Sequence, residues 1–365
     1  MKVKAVATFS LYALLSQNVY AFTFSPVSLT PSLNNEIIHK NRLETFPNDP
    51  LFKEQWYLEK IKIKQAWNYT KGSPETIVAV IDSGIDFDHE DFKNQIWTNS
   101  GEIPNNGIDD DQNGFIDDVH GWNFYAGDNE IKDNGMGSTG TFYSGIIAAL
   151  MDNEVGIAGI APHIRIMPVK FFGERGGGTY QNAINSIDYA INQGADIILT
   201  NWGSPMTADH ARPLIDAAKR AYEAGVTIIA PVGSHGHNRE IYPAAIDLDN
   251  VVSVTASNKI DAKPSWANYG SYITIAAPGI EVLGPMIDGE YRMHRGTGAS
   301  SAITAGAIAL IKSYLKSTGR TLSHRELKEL LQVTAAPADV TIPCECRIDI
   351  GSAMESLSGE VKGIF

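Results

Sequence analysis

Short apolar runs alternate with segments of helical character along the chain from about residue 75 onward. Runs of about four to eight residues rich in β-branched side chains predict buried strands, and they lie at 76–82, 165–172, 195–202, 226–233 and 251–257. Helices are predicted between and after them, at 145–153, 179–195, 209–226, 299–319 and 323–335. This alternation predicts an α/β fold with a mainly parallel central sheet and helices on both faces. In such folds, functional residues lie at the carboxyl ends of the strands.

The first 21 residues have the pattern of a secretion signal peptide. Lys2 and Lys4 precede an apolar run over 5–15, and small residues precede a plausible cleavage after Ala21. The run is too short to cross a bilayer, and no later stretch is long enough; a packed N-terminal helix is the alternative. Residues 22–47 are polar with scattered prolines, which predicts an extended arm. We therefore expect a secreted or periplasmic protein.

Composition limits the partners that this chain can have. Its 365 residues are 43% apolar, enough to bury a large core. The 42 Asp and Glu residues outnumber the 29 Lys and Arg residues, which gives a net charge of −13. An acidic surface argues against binding to nucleic acid or to an anionic membrane. Cys344 and Cys346 would close a strained ring if paired, so we expect two unpaired thiols.

Asp82 ends the predicted strand 76–82, and a carboxylate at a strand end often does no more than cap a turn. The segment around it, IVAVIDSGIDFDHEDF, resembles the aspartate segment of the subtilisin-like serine proteases. Further segments resemble other parts of that family, in order and with similar spacing: GIIAALMDNEVGIAGIAP (145–162), RIMPVKFFGERGGGT (165–179), VTIIAPVGS (226–234), SWANYGSYITIAAPG (265–279) and GTGASSAITAGAIAL (296–310). The resemblance implies a subtilisin-like domain over residues 48–352, followed by a tail at 353–365.

The same resemblance implies four catalytic groups, of which this sequence retains one. The family uses a serine nucleophile, a histidine base, an aspartate that orients the histidine, and an asparagine that stabilises the oxyanion. Asp82 matches the aspartate. The other positions hold different residues: Thr139 for the histidine, Ser234 for the asparagine and Gly298 for the serine. Because a hydroxyl does not act as a base at neutral pH, we expect a catalytically degenerate family member, a pseudoprotease.

The resemblance also implies a substrate groove between two backbone edges. One edge matches Gly176, Gly177 and Gly178. The other is a Ser-Leu-Gly type run in the family and reads NWGSP here, with Trp202 and Gly203. An extended peptide pairs with such edges as an added strand. We therefore expect a non-hydrolytic protein that binds an extended peptide or protein partner, or regulates an active relative.

Two other classes of function stay open. One is a serine endopeptidase with residual or rewired activity, in which Asp82 works with Thr139 and the nucleophile is Ser138, Ser300 or Ser301. The other is a structural secreted protein whose groove has no function.

An acidic segment, NNGIDDDQNGFIDDVHGWNF (105–124), predicts a structural calcium site. Hard oxygen ligands alternate along it and Gly114 allows a sharp turn; the candidate ligands are Asp109, Asp111, Asn113, Asp117 and Asp118. The segment resembles an acidic calcium-binding insertion of many bacterial subtilisin-like proteases. A solvated acidic loop is the alternative.

Overall fold

The apolar runs form one nine-stranded sheet in the part of the chain that the computed structural model describes, residues 47–133, 137–173 and 175–359. The strands, in chain order, are β1 (Ile77–Asp82), β2 (Trp122–Asn123), β3 (Arg165–Lys170), β4 (Ile197–Thr200), β5 (Thr227–Pro231), β6 (Val251–Ser257), β7 (Ile275–Pro278), β8 (Val282–Pro285), β9 (Tyr291–His294), β10 (Ala336–Pro337) and β11 (Cys346–Arg347). The sheet order is β10-β11-β7-β6-β5-β4-β1-β3-β2, and β8 and β9 form a separate antiparallel hairpin. All pairs in the large sheet are parallel except β10 with β11. The five predicted strands and the mainly parallel sheet are confirmed.

Helices cover this sheet on both faces, as predicted. The α-helices of the described residues are α1 (Trp56–Lys60), α2 (Ile63–Trp67), α3 (Thr139–Ala148), α4 (Tyr180–Asn192), α5 (Ala208–Glu223), α6 (Thr297–Thr318), α7 (His324–Val333) and α8 (Ile350–Ser358). Short 3₁₀ turns lie at Phe52–Glu54, Glu90–Phe92 and Ile287–Gly289. Thr179 caps α4, because its side chain accepts a hydrogen bond from the backbone N–H of Asn182.

Side chains of β1 divide between two cores because successive residues of a strand point to opposite faces. Val78 and Val80 pack with α3 and α6, and Ala79 and Ile81 pack with α4 and α5. A strand buried on both faces must be apolar throughout, so β1 is readable as a continuous apolar run. Asp82 ends that run and is only 1% exposed.

Helix α3 begins six residues before the start predicted for it, and this displacement positions Thr139. The sequence predicted a helix at 145–153, whereas the helix spans Thr139–Ala148. The early turn fits because Gly140 has no side chain: a Cβ there would overlap the carbonyl oxygen of Gly84 in the turn after β1. The close approach brings the first turn of α3 against the end of β1, where Asp82 lies.

The C-terminal part of the fold departs from the predictions in two places. Helix α8 continues past residue 352, where we placed the end of the domain, and buries Ala353, Met354 and Leu357. Cys344 and Cys346 are joined by a disulfide bond, so the expectation of two unpaired thiols is wrong. The intervening Glu345 is left-handed (φ 45°), and this tight turn brings the two Cα atoms to 5.1 Å, within the range for a disulfide.

The N-terminal predictions concern residues that lie outside the described part of the chain. These are the signal peptide at 1–21 and all but the last residue of the arm at 22–47. Within the described residues, no helix has both the length and the apolar character needed to span a membrane.

Candidate functional site

Asp82 and Thr139 meet where the end of β1 faces the start of α3. The Thr139 hydroxyl donates a hydrogen bond of 2.5 Å to Oδ1 of Asp82. The same oxygen accepts the backbone N–H of Ser83 at 2.7 Å. Among the described residues no histidine nitrogen and no cationic side chain lies within bonding distance of this carboxylate. The two residues predicted from the sequence, Asp82 and Thr139, are therefore in contact. Neither side chain has a nitrogen atom that could accept a proton.

Asp82 is a buried acid with no cationic partner among the described residues. Burial raises the pKa of its carboxyl to about 7, against the hydrogen bonds from Thr139 and Ser83, which lower it. The charge of Asp133 adds to the increase. In a serine protease, the imidazolium of the catalytic histidine stabilises the charged aspartate. Here a hydroxyl takes that place, and the acid is partly protonated at neutral pH.

Gly298 lies in the first turn of α6, and the space beside it is occupied. A Cβ built on Gly298 would lie 2.5 Å from Oδ1 of Asn201 and 2.6 Å from the hydroxyl oxygen of Tyr143. Carbon and oxygen atoms do not approach so closely without a bond, so any side chain here requires the neighbours to move. Tyr143 is 9% exposed and its ring packs against Phe142 at a centroid distance of 5.4 Å. The predicted serine position is thus filled by a tyrosine from α3.

Ser234 and Thr297 join the start of α6 to the loop after β5. The Ser234 hydroxyl accepts the backbone N–H of Thr297 at 3.2 Å, and the Thr297 hydroxyl accepts the backbone N–H of Gly233 at 3.1 Å. Ser234 therefore satisfies one of the free N–H groups that begin a helix. The hydrogen bond from Thr297 therefore holds the short Ser234 side chain, at the predicted oxyanion position, against the start of α6.

The two serines that follow Gly298 are buried in α6. Ser300 is fully buried, and its hydroxyl donates to the carbonyl oxygens of Ala277 and Pro278 at 3.0 and 3.1 Å. Ser301 is also fully buried. Neither hydroxyl is accessible to a peptide carbonyl, which argues against a nucleophile displaced along the helix.

A cleft of about 500 Å³ lies over the start of α6. Trp202 and Gly203, predicted as groove residues, are among its walls, together with Gly298, Ser234 and Tyr143. On the other side, a Cβ on Gly178 would overlap the ring of Phe171, whose centroid lies 5.3 Å from that of Trp202. Gly176 donates its backbone N–H to the carbonyl of Gly173 in a tight turn. The two predicted edges are therefore linked through the Phe171 ring.

Residues 73–350 match the model of the subtilase family, which is more than half of the chain. The chain belongs to the subtilase family. Thermitase of Thermoactinomyces vulgaris is 31% identical over 279 residues, which cover 76% of this chain and 88% of that relative. The thermophilic serine proteinase of Bacillus sp. strain AK1 is 29% identical over 290 residues, and the chain spans 64% of that protein's length. A solved lanthipeptide protease has the same fold, with a TM-score of 0.69 and 23% identity over 85% of this chain and 98% of that one.

The acidic segment of this subtilase brings together three carboxylates, two of which were predicted as ligands. Oxygens of Glu102, Asp109 and Asp111 lie within 4.8 Å of one another. Asp117 and Asp118 lie outside this group of three, and the Asn113 side chain lies beside it, donating to Asp111 at 3.1 Å. Glu102 precedes the alternating pattern by several residues, so nothing in the spacing pointed to it.

Carboxylates inside and outside this group of three accept hydrogen bonds within the loop. Glu102 accepts the backbone N–H groups of Asp110 and Asp111, and Asp109 accepts those of Asn113 and Gly114. Both oxygens of Asp117 accept backbone N–H groups, from Asn106 and Gly107. The buried Asp118 accepts the Tyr189 hydroxyl at 2.6 Å, and burial raises the pKa of its carboxyl. These two aspartates hold the loop together. Oxygen-only donors of this kind suit Ca²⁺, and Glu102, Asp109 and Asp111 are the residues that would hold it.

Sequence reasoning missed the two residues that decide the chemistry at position 298. Tyr143 follows the segment aligned with the family's histidine motif, and Asn201 precedes Trp202 in chain order. Both side chains contact Gly298 because α3, the end of β4 and the start of α6 come together in the fold. These elements are far apart in sequence. No local pattern carries that information.

Proposed function

We propose that this subtilase is a non-hydrolytic, secreted protein that binds an extended peptide or a peptide segment of a protein partner. The observation that carries the proposal is the crowding at Gly298, where Tyr143 and Asn201 occupy the place of a nucleophile's side chain. A chain selected for hydrolysis has no use for a tyrosine at that point. The cleft beside it, however, is open.

The lack of a base at position 139 supports the same proposal. Acyl transfer by a serine enzyme needs a group that takes the hydroxyl proton and returns it to the leaving amine. Thr139 has no such capacity, and its own proton is committed to Asp82. In subtilisin, itself a member of this family, loss of the serine or the histidine alone lowers turnover by about 10⁶-fold.

The open cleft supports binding as the remaining role. Asn201 Nδ2 and Trp202 Nε1, in residues of its walls, have no hydrogen-bond acceptor within the described residues, but both atoms are buried, so a ligand oxygen would reach them only after these side chains move. A volume of about 500 Å³ is within the usual range for a ligand site.

Peptide binding without turnover is the expected behaviour of the purified protein. Fluorescence anisotropy against a mixed panel of labelled octapeptides measures binding, and casein with chromogenic peptides measures hydrolysis. Trp202→Ala should weaken binding at least about tenfold, because buried tryptophans dominate peptide interfaces. The matched control is Tyr222→Ala, an exposed aromatic residue on the outer helix α5.

Turnover that persists after removal of contaminating proteases would favour the endopeptidase alternative. Absence of both binding and turnover would favour a purely structural protein. Secretion has a separate check, since the protein recovered from the medium or periplasm should begin at Phe22.

We also propose that Glu102, Asp109 and Asp111 hold a structural Ca²⁺ ion. Oxygens of these three carboxylates lie within 4.8 Å of one another, and a cation between them would offset their mutual repulsion. When bound, the ion would neutralise this charge and fix the loop against the sheet.

Calcium is therefore expected to raise the melting temperature of the protein. At a concentration of about ten times Kd, a bound ligand stabilises the folded state by about 1.4 kcal/mol. The double variant Glu102→Gln/Asp109→Asn should lose this response, measured by calorimetry in Ca²⁺ and in EGTA. Asp209→Asn/Glu223→Gln removes the same charge from exposed positions on α5 and should respond like the native protein. An equal response in both variants would mean that the ion binds elsewhere.

A further inference from the structure

The cleft over the start of α6 is rich in basic side chains, in contrast to the chain as a whole. The protein has 42 acidic and 29 basic residues. Among the described residues, the cleft walls hold no Asp or Glu, but they include Arg239, Arg295, His235, His237 and His294. A basic cleft on an acidic protein concentrates positive potential where the ligand enters.

The two guanidinium groups in this cleft are not neutralised by the protein. Arg239 and Arg295 are both exposed, and neither forms an ion pair with any described carboxylate. Other exposed arginines of the chain do have acidic partners, for example Arg212 with Asp209 and Arg220 with Asp188. Both cleft arginines are therefore free to pair with a carboxylate of a ligand.

The two histidines of the loop after β5 add hydrogen-bond donors to the same wall. The backbone N–H of Arg239 donates to Nδ1 of His237 at 3.3 Å, so the neutral ring carries its proton on Nε2. The rings of His235 and His237 stack with centroids 5.7 Å apart. The side-chain oxygen of Asn268 accepts both of their backbone N–H groups and holds the loop in this shape.

The amino terminus of α6 adds to the positive potential of the cleft. This helix is 22 residues long, and its first residues, Thr297 and Gly298, are in the cleft wall. The backbone N–H of Gly298 has no acceptor among the described residues. A helix begins with a partial positive charge, which adds to that of the arginines.

We infer that the cleft selects peptides with acidic side chains. Arg239 belongs to the loop after β5 and Arg295 to the loop between β9 and α6, so the cleft offers two separate guanidinium groups to the Asp or Glu residues of a bound peptide. The guanidinium groups pair with these carboxylates, and the histidine and helix N–H groups donate to them. This inference rests on the proposed peptide-binding function and specifies the chemical class of its ligand.

Anisotropy measurements with matched octapeptides on the full chain test this selectivity. The acidic peptide carries two Glu residues in an Ala-Gly background, and its counterparts carry Gln or Lys; all are N-acetylated and C-amidated. A fourth peptide is neutral but has a free C-terminal carboxylate. The acidic peptide should bind about tenfold more tightly than the Gln peptide at low salt, and the difference should shrink in high salt.

The double variant Arg239→Gln/Arg295→Gln should weaken binding of the acidic peptide about five- to twentyfold and that of the Gln peptide by a much smaller factor. Arg212→Gln is the matched control, because Arg212 is an exposed arginine on the outer helix α5. Equal binding of the Glu and Gln peptides, or binding of only the peptide with a free carboxyl end, overturns the acidic-side-chain inference while peptide binding stands. Failure of every peptide to bind overturns both proposals. Cleavage of the acidic peptide in preference to the others overturns the non-hydrolytic role and supports the selectivity.

Discussion

Placing histidine at position 139 and serine at position 298 is expected to yield almost no peptidase activity until Tyr143 and Asn201 are also made smaller. A Cβ at position 298 would lie 2.5 Å from Asn201 and 2.6 Å from Tyr143. The new serine would therefore be pushed away from the new histidine. A misplacement of about 1 Å in a catalytic group lowers turnover about 10²-fold.

Four forms of the protein separate the effect of introducing the catalytic residues from the effect of making room for them. These are the native chain, Thr139→His/Gly298→Ser, Tyr143→Val/Asn201→Ser, and the combination of all four substitutions. Serine is the residue implied at position 201 by the family's Ser-Leu-Gly run. We expect no turnover of chromogenic peptides by the first and third forms, and at least about 10²-fold more by the fourth form than by the second.

Thermal melting must accompany these assays, since the loss of the buried Tyr143 ring costs about 3–5 kcal/mol. Equal turnover by the second and fourth forms would contradict the crowding argument. No turnover by a folded fourth form would mean that the catalytic frame has changed beyond positions 139 and 298, with Ser234 as the next residue to replace.

The stability of the Asp82→Asn variant relative to the native chain is expected to increase as the pH rises from 5 to 8. Burial raises the pKa of this carboxyl in the folded state from 3.8 to about 7. The folded state therefore binds a proton that the unfolded state releases, so the acid's contribution to stability is complete below pH 3.8. That contribution is lost as the pH rises through the window from about 4 to 7 and is constant above it.

Across that window, the free energy of unfolding of the native protein falls by about 1.4 kcal/mol per pH unit relative to that of Asp82→Asn. Between pH 5 and pH 8 the native protein should lose about 2.6 kcal/mol relative to Asp82→Asn. The asparagine has an Oδ1 that can still accept from Thr139 and Ser83, so the contacts of the acid are retained. Urea unfolding of both proteins at several pH values gives the difference, in which the titration of all other groups cancels.

Glu223→Gln is the control for this experiment, because it removes an exposed carboxylate from the outer helix α5. Its stability difference from the native chain should be nearly independent of pH. A flat difference for Asp82→Asn as well would mean that the buried acid keeps its ordinary pKa. A cationic histidine beside the aspartate of an active subtilase would reduce this dependence, so the result also tests the proposal that no base acts beside Asp82.

Much of the fold could be predicted because each buried strand of a parallel sheet is apolar on both faces. Val78, Ala79, Val80 and Ile81 carry this signal in consecutive positions, so strand β1 and its terminal acid were visible in the sequence alone. The start of α3 was not visible, because its early turn depends on Gly140 packing against Gly84 from another element. The pairing of the two cysteines was not visible either, because it depends on the left-handed backbone conformation of Glu345.

The sequence by itself predicted which residues stand at the catalytic positions, since the assignment of Asp82, Thr139, Ser234 and Gly298 rests on motif order and spacing. Only the tertiary structure decided what surrounds them. Tyr143 fills the space at Gly298, Glu102 joins Asp109 and Asp111, and the two free arginines share a cleft without carboxylates. The physical reason is the same in each case: motif order is a property of the chain, whereas contact, crowding and local potential arise between segments that meet only when it folds.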